Sequence, residues 1–156
     1  MRVSSWGQWF GEPGPDNGEA LRQLLNRIWR KETALACHLA ERARAMRFAP
    51  HQLSLEGMAE RESQNAHGLA REIGGGATMA AAEYTMPRPG TLTATKLIRD
   101  LEETEELYTL YRQARWLTSD RILREKLEGL ARKEAHGSQT IRRILARMDS
   151  YVTDLA

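Results

Sequence analysis

The stretch LEGMAERE, residues 55–62, returns as LEGLARKE at residues 127–134, an offset of 72 residues. An internal repeat constrains architecture before any single residue is interpreted. Each copy opens on a leucine and closes on a glutamate, Glu62 or Glu134. Helical spacing places both ends on one apolar stripe. One seam reads Leu55, Met58, Glu62, Asn65, Leu69, and the other Leu127, Leu130, Glu134, Gly137, Ile141, in the same register.

Outward from the repeat, four helical stretches alternate with breakers. Residues 1–17 form an irregular arm in which Trp6, Trp9 and Phe10 lie among Gly and Pro. Asp16 with Glu19 resembles a capping box opening helix 1, along which Leu21, Leu25, Ile28, Leu35 and Leu39 recur until Phe48-Ala49-Pro50. Ser54 is the expected cap of helix 2, which stops at Gly74-Gly75-Gly76. Helix 3 carries Leu97, Leu101, Tyr108 and Tyr111 on one stripe, with Leu107, Leu110, Ala114 and Leu117 beside it. After the turn Thr118-Ser119-Asp120, helix 4 runs to about Met148. No segment alternates with period two, so the class is all-α.

Links of about half a dozen residues join helices 1 and 2, and helices 3 and 4; short links make antiparallel hairpins. The stretch between helices 2 and 3, roughly residues 74–92, is long enough to cross the bundle end to end. The expected architecture is a four-helix bundle of two αα-hairpins joined by a long crossover. It forms a single domain over residues 18–150 with a short tail, 151–156.

Composition bounds the rest. A chain of 156 residues with 41% apolar and 28% charged residues reads as one soluble globular domain. The net charge of +2 has mixed signs throughout, which argues against a nucleic-acid stripe even where Lys133, Arg142, Arg143 and Arg147 make helix 4 basic outside. A single cysteine, Cys37, excludes an internal disulfide and suits a reducing compartment. No apolar run approaches a membrane span and the first residues carry no signal core, so the expected address is cytoplasmic, with no membrane partner. The aromatic arm or the bundle surface is the expected contact of a homo-oligomer, since Trp favours interface centres.

The decisive polar residues lie on the seams. Glu32 falls four after Ile28 and three before Leu35 in helix 1, so three glutamates occupy matching depths. Buried carboxylates are costly unless a cation, a shared proton or an arginine neutralises them.

These residues resemble the ferritin-like superfamily, and rubrerythrin-type domains within it, over residues 19–149. The family pattern supplies a Glu from helices 1 and 3 and Glu-x-x-His from helices 2 and 4. On that pattern MAERESQNAHGL carries Glu62 with Asn65 at the histidine position, and LARKEAHGSQTI carries Glu134 with Gly137 there. Helix 1 keeps Glu32. The 72-residue offset puts Thr104 at the helix 3 position, with Tyr111 seven later matching a tyrosine frequent in the family. Three of six ligand positions remain, Glu32, Glu62 and Glu134, and both imidazoles are gone. The resemblance implies iron or another divalent metal on those three carboxylates, or no metal at all.

Neighbouring residues are candidates to complete the set. His67 sits about 140° and His136 about 200° around the helix from their glutamates, so either needs a π-bulge to turn inward. Glu103 and Glu105 flank Thr104, and a one-residue shift in helix 3 brings either inward. His38 and His51 have no partner at ligand spacing. Tyr108 and Tyr111 read as core, Cys37 as a small buried hydrophobe. Two leading functions follow: a non-catalytic binding or structural module with an incomplete di-metal site, or a metal-dependent oxidoreductase or iron-handling protein with an altered, carboxylate-rich site. As an enzyme it would be a non-haem di-iron-type oxidoreductase or ferroxidase. A plain helical scaffold with its glutamates paired or solvated is the third. No Cys-x-x-Cys cluster supplies a second iron site.

Overall fold

The computed structural model describes residues 17–74 and 94–153; the arm as far as Asp16, most of the stretch between helices 2 and 3, and residues 154–156 of the tail lie outside the described residues, whereas Asn17 already belongs to the first helix. Four helices account for nearly all of it: α1 (Asn17–Ala45), α2 (Ala49–Glu72), α3 (Ala94–Leu117) and α4 (Arg121–Thr153). Among the described residues there is no strand.

The helix ends follow local chemistry, with one correction. Ser54 does not cap α2. The helix starts five residues earlier, with Pro50 in its first turn, where a missing N–H loses no intrahelical bond. Ser54 Oγ instead donates back to the Pro50 carbonyl at 2.9 Å. The links 46–48 and 118–120 are therefore three residues each, tighter than expected. At the far end Gly74 adopts φ +77°, the left-handed conformation that stops a helix and suits glycine. Asp120 caps α4, its Oδ1 accepting from the backbone N–H of Ile122 at 2.8 Å and of Leu123 at 3.2 Å. The helix then continues to Thr153, beyond the expected boundary at 150.

Cross-helix ion pairs give the directions. Arg27 pairs with Glu106, Lys31 with Glu103, and Arg42 with Asp100, so α1 and α3 are antiparallel. Lys126 pairs with Glu72 near one end of α2, while Gly137 lies against Arg61 farther along, so α2 and α4 are antiparallel too. With antiparallel neighbours on every side, α2 and α3 point the same way. The end of α2 and the start of α3 thus lie at opposite ends of the bundle, about 35 Å apart for helices of 24 residues.

Burial obeys the repeat. On α1 the inward positions are Leu25, Ile28, Glu32, Leu35, Leu39 and Arg42; on α3 they are Leu97, Asp100, Thr104, Leu107, Tyr111 and Ala114, each 72 residues later. The stripe expected for α3 was turned slightly from this. Leu101 and Tyr108 are only half-buried, whereas Asp100 and Thr104 are fully inside. Apolar pattern misjudged that face because Ile98 and Trp116 lie exposed while an aspartate is buried. Leu55 and Leu127, the first residues of the repeated octets, are both fully buried, each contributing about 1.5–3 kcal/mol of hydrophobic stabilisation.

Candidate metal centre

Each of the three seam glutamates lies one helical turn from an apolar anchor. Ile28 and Leu35 bracket Glu32 on α1; Met58 precedes Glu62 on α2; Ala131 precedes Glu134 on α4. Packing those anchors into the core carries the carboxylates in with them. All three are completely buried, and one oxygen from each lies within 4.8 Å of the others. Fully charged, such carboxylates repel by about 3–4 kcal/mol per pair at an effective dielectric of 20.

Donors reach this cluster unevenly. The Tyr111 hydroxyl on α3 donates to Glu32 Oε1. Glu62 accepts from Arg61 Nη2 at 3.0 Å and from Asn65 Nδ2 at 3.2 Å. Glu134 has no donor on either oxygen, and Glu32 Oε2 has none. Burial, then the neighbouring charge of Glu62, push the Glu134 carboxyl up to about 9. Burial raises Glu32 well above the usual carboxylate range, with Glu134 and Glu62 adding to it and the Tyr111 hydroxyl opposing. Burial and the Glu32 carboxylate together raise the Tyr111 hydroxyl, which stays protonated and so remains a donor.

The flanking positions resolve plainly. Thr104 faces the cluster but donates its hydroxyl to the Asp100 carbonyl at 2.8 Å, leaving its methyl inward. Glu103 and Glu105 point away, to Lys31 at 2.7 Å and to Arg142. His67 and His136 are exposed on uninterrupted α-helix, so no bulge turns either inward. Cys37 is half-buried rather than fully inside.

Gly137, at a position equivalent to Asn65, makes room for its neighbours. A Cβ there would lie 3.0 Å from Arg61 Nη2, 3.2 Å from Met58 Cε and 3.4 Å from Thr104 Cγ2. The Arg61 guanidinium therefore occupies the space that a side chain at 137 would fill, and bonds Glu62 from there. Beside it, α2 and α4 meet more sparsely than the hairpin pairs. A groove of about 370 Å³ opens between them, lined by Leu69, Leu127, Leu130, Lys133 and Asn65. Asn65 lines the groove and bonds Glu62, whereas the three glutamates themselves do not line it.

A divalent ion fits this donor set. Three unpartnered oxygens on Glu32 and Glu134 are already dehydrated, and oxygens across an ion with bonds of about 2.3–2.5 Å lie roughly 4.6–5 Å apart. The oxygen-only chemistry favours Mn2+, Ca2+ or Fe2+ over copper.

A second buried polar cluster escaped the sequence reading. Asp100, inside the bundle, accepts from Arg42 Nε at 2.9 Å, and His38 Nδ1 lies 3.8 Å from its other oxygen. Arg42 also pairs with Glu41 at 3.1 Å. Burial raises the Asp100 carboxyl against the pull of Arg42. The sequence signal was available: an aspartate 72 residues after the buried Ile28 occupies a core position. His38 meets Asp100 across the α1–α3 contact, a pairing that ligand spacing along the chain does not show.

Comparison with known proteins finds no protein-family profile, no curated protein and no solved structure that matches this chain. Among the described residues no helix is long and apolar enough to cross a membrane.

Proposed function

We propose that this protein is a ferritin-like, rubrerythrin-related bundle that works as a metal-binding module, taking one divalent cation on Glu32, Glu62 and Glu134. One observation carries this reading. Three carboxylates meet inside the bundle, and three of their six oxygens lack any donor. Buried acceptors left in that state are strongly unfavourable, and a hard cation satisfies several at once. The chain's own groups divide the remaining work. Tyr111 orients Glu32, Asn65 and Arg61 orient Glu62, and the surrounding leucines exclude water. Elemental analysis of purified protein should find one Mn or Fe per chain, and the paired replacement Glu62→Gln and Glu134→Gln should abolish it. Metal-free wild-type protein that gains no thermal stability from Mn2+ or Fe2+ refutes the reading.

A second reading makes the same carboxylates the site of an iron-handling protein or oxidoreductase. Its support is the buried Tyr111 hydroxyl bonded to Glu32, a group able to relay a proton beside a bound iron. Oxygen uptake on adding Fe2+ anaerobically and then admitting air would favour it; no uptake above that of the double glutamine variant would reject it. Both readings place the chain in the cytoplasm as a homo-oligomer. Trp116 and Ile122, exposed around the α3–α4 turn, support an apolar contact of that kind.

A further inference from the structure

We propose that Arg61, admitted by the missing side chain of Gly137, is a built-in cation that limits the carboxylate cluster to a single, moderately bound divalent ion. This rests on the reading of the cluster as a metal site, whose unpartnered Glu134 oxygens point to a ligand.

The geometry is specific. Arg61 Nη2 bonds Glu62 Oε1 at 3.0 Å and stands at the 3.0 Å limit from a Cβ at 137. Its Nε is buried without a partner, so hydrogen bonding alone does not explain why the side chain lies inward. The charge does. Three carboxylates carry three negative charges, and one guanidinium with one divalent ion balances them. A fixed positive charge a few ångströms from the ion also opposes its binding in this weakly polarisable interior. The guanidinium has a way out, because the Arg61 side chain is 23% exposed. A methyl group on residue 137 meets the flexible ends of Arg61 and Met58 rather than backbone, and shifts the guanidinium outward by a few tenths of an ångström. Gly137 thus determines affinity without touching the ion.

The test is Mn2+ titration by calorimetry at pH 7, using the full chain as wild type, Arg61→Met, Gly137→Ala and the double variant. Circular dichroism checks that each is folded, and Gly137→Ala carries the test should Arg61→Met fail to fold. Arg61→Met should bind Mn2+ about tenfold tighter or more, Gly137→Ala tighter than wild type by a smaller factor, and the double variant no tighter than Arg61→Met, since Gly137 acts through Arg61. Variants no tighter than a binding wild type overturn the proposal and leave the proposed function standing. A wild type that fails to bind while both variants bind refutes the proposed function and overturns the proposal as well, since Arg61 then blocks the ion rather than moderating it. No binding by any of the four refutes both. A gain in Gly137→Ala that persists undiminished on top of Arg61→Met also overturns it, because the glycine then acts by another route.

Discussion

Replacing Glu134 with glutamine should stabilise the metal-free protein at neutral pH and remove a pH dependence. The Glu134 carboxyl is pushed up to about 9 from its usual 4.5, so at pH 7 it is protonated when folded and ionised when unfolded. Taking up that proton from solution at pH 7 costs about 3 kcal/mol of folding free energy. Glutamine is neutral in both states and avoids this. Burying the amide N–H groups of glutamine among the carboxylates subtracts roughly 1 kcal/mol, which leaves about 2 kcal/mol of net gain. For a chain of this length that is about 4–8 °C in Tm. The sign follows from the raised value. Glu134's contribution is complete below pH 4.5 and is lost progressively as pH rises toward 9, by about 1.4 kcal/mol per unit. Urea denaturation in EDTA at pH 5, 6, 7 and 8 should therefore show a gap between variant and wild type that widens with pH. Saturating Mn2+ should reverse the order, because only the wild type keeps the carboxylate. Parallel stability profiles in EDTA, or a variant less stable than wild type at pH 8, would refute a buried, poorly solvated Glu134.

Three other outcomes are expected. Tyr111→Phe leaves Glu32 Oε1 without its donor inside the bundle and should lower metal-free stability by about 1–2 kcal/mol, read by urea denaturation. Arg42→Met strands the buried Asp100 carboxylate and should cost about 3–5 kcal/mol, whereas Arg42→Met with Asp100→Leu should recover most of it. Deleting residues 1–15 should reduce the mass in sedimentation if the arm joins subunits; unchanged mass retires that contact.

Legibility followed the physics of each feature. Helix boundaries at Gly74 and Asp120 were readable because a left-handed glycine and a capping carboxylate act on their immediate neighbours. Ser54 misled, since a hydroxyl caps only where the chain enters a helix, and Pro50 had already begun α2. On α3, hydrophobicity pointed toward Leu101 and Tyr108, while the 72-residue offset indicated Thr104; the same offset from Ile28 leads to Asp100, which was not read, and burial sides with the offset at both. Duplication carries register from α1, whose pattern is clear, to α3, whose pattern is not.

The linear chain by itself determined an all-helical bundle, the pairing of its helices into hairpins, and the depth of Glu32, Glu62 and Glu134, because helical period and repeat register are properties of spacing. Tertiary packing alone decided which groups answer those carboxylates. Tyr111 crosses from α3 to Glu32, and Arg61 enters the void left by Gly137. Glu103 and Glu105 are drawn outward to Lys31 and Arg142. These are contacts between different helices, or depend on the space another helix leaves, and spacing along one chain carries no measure of that distance.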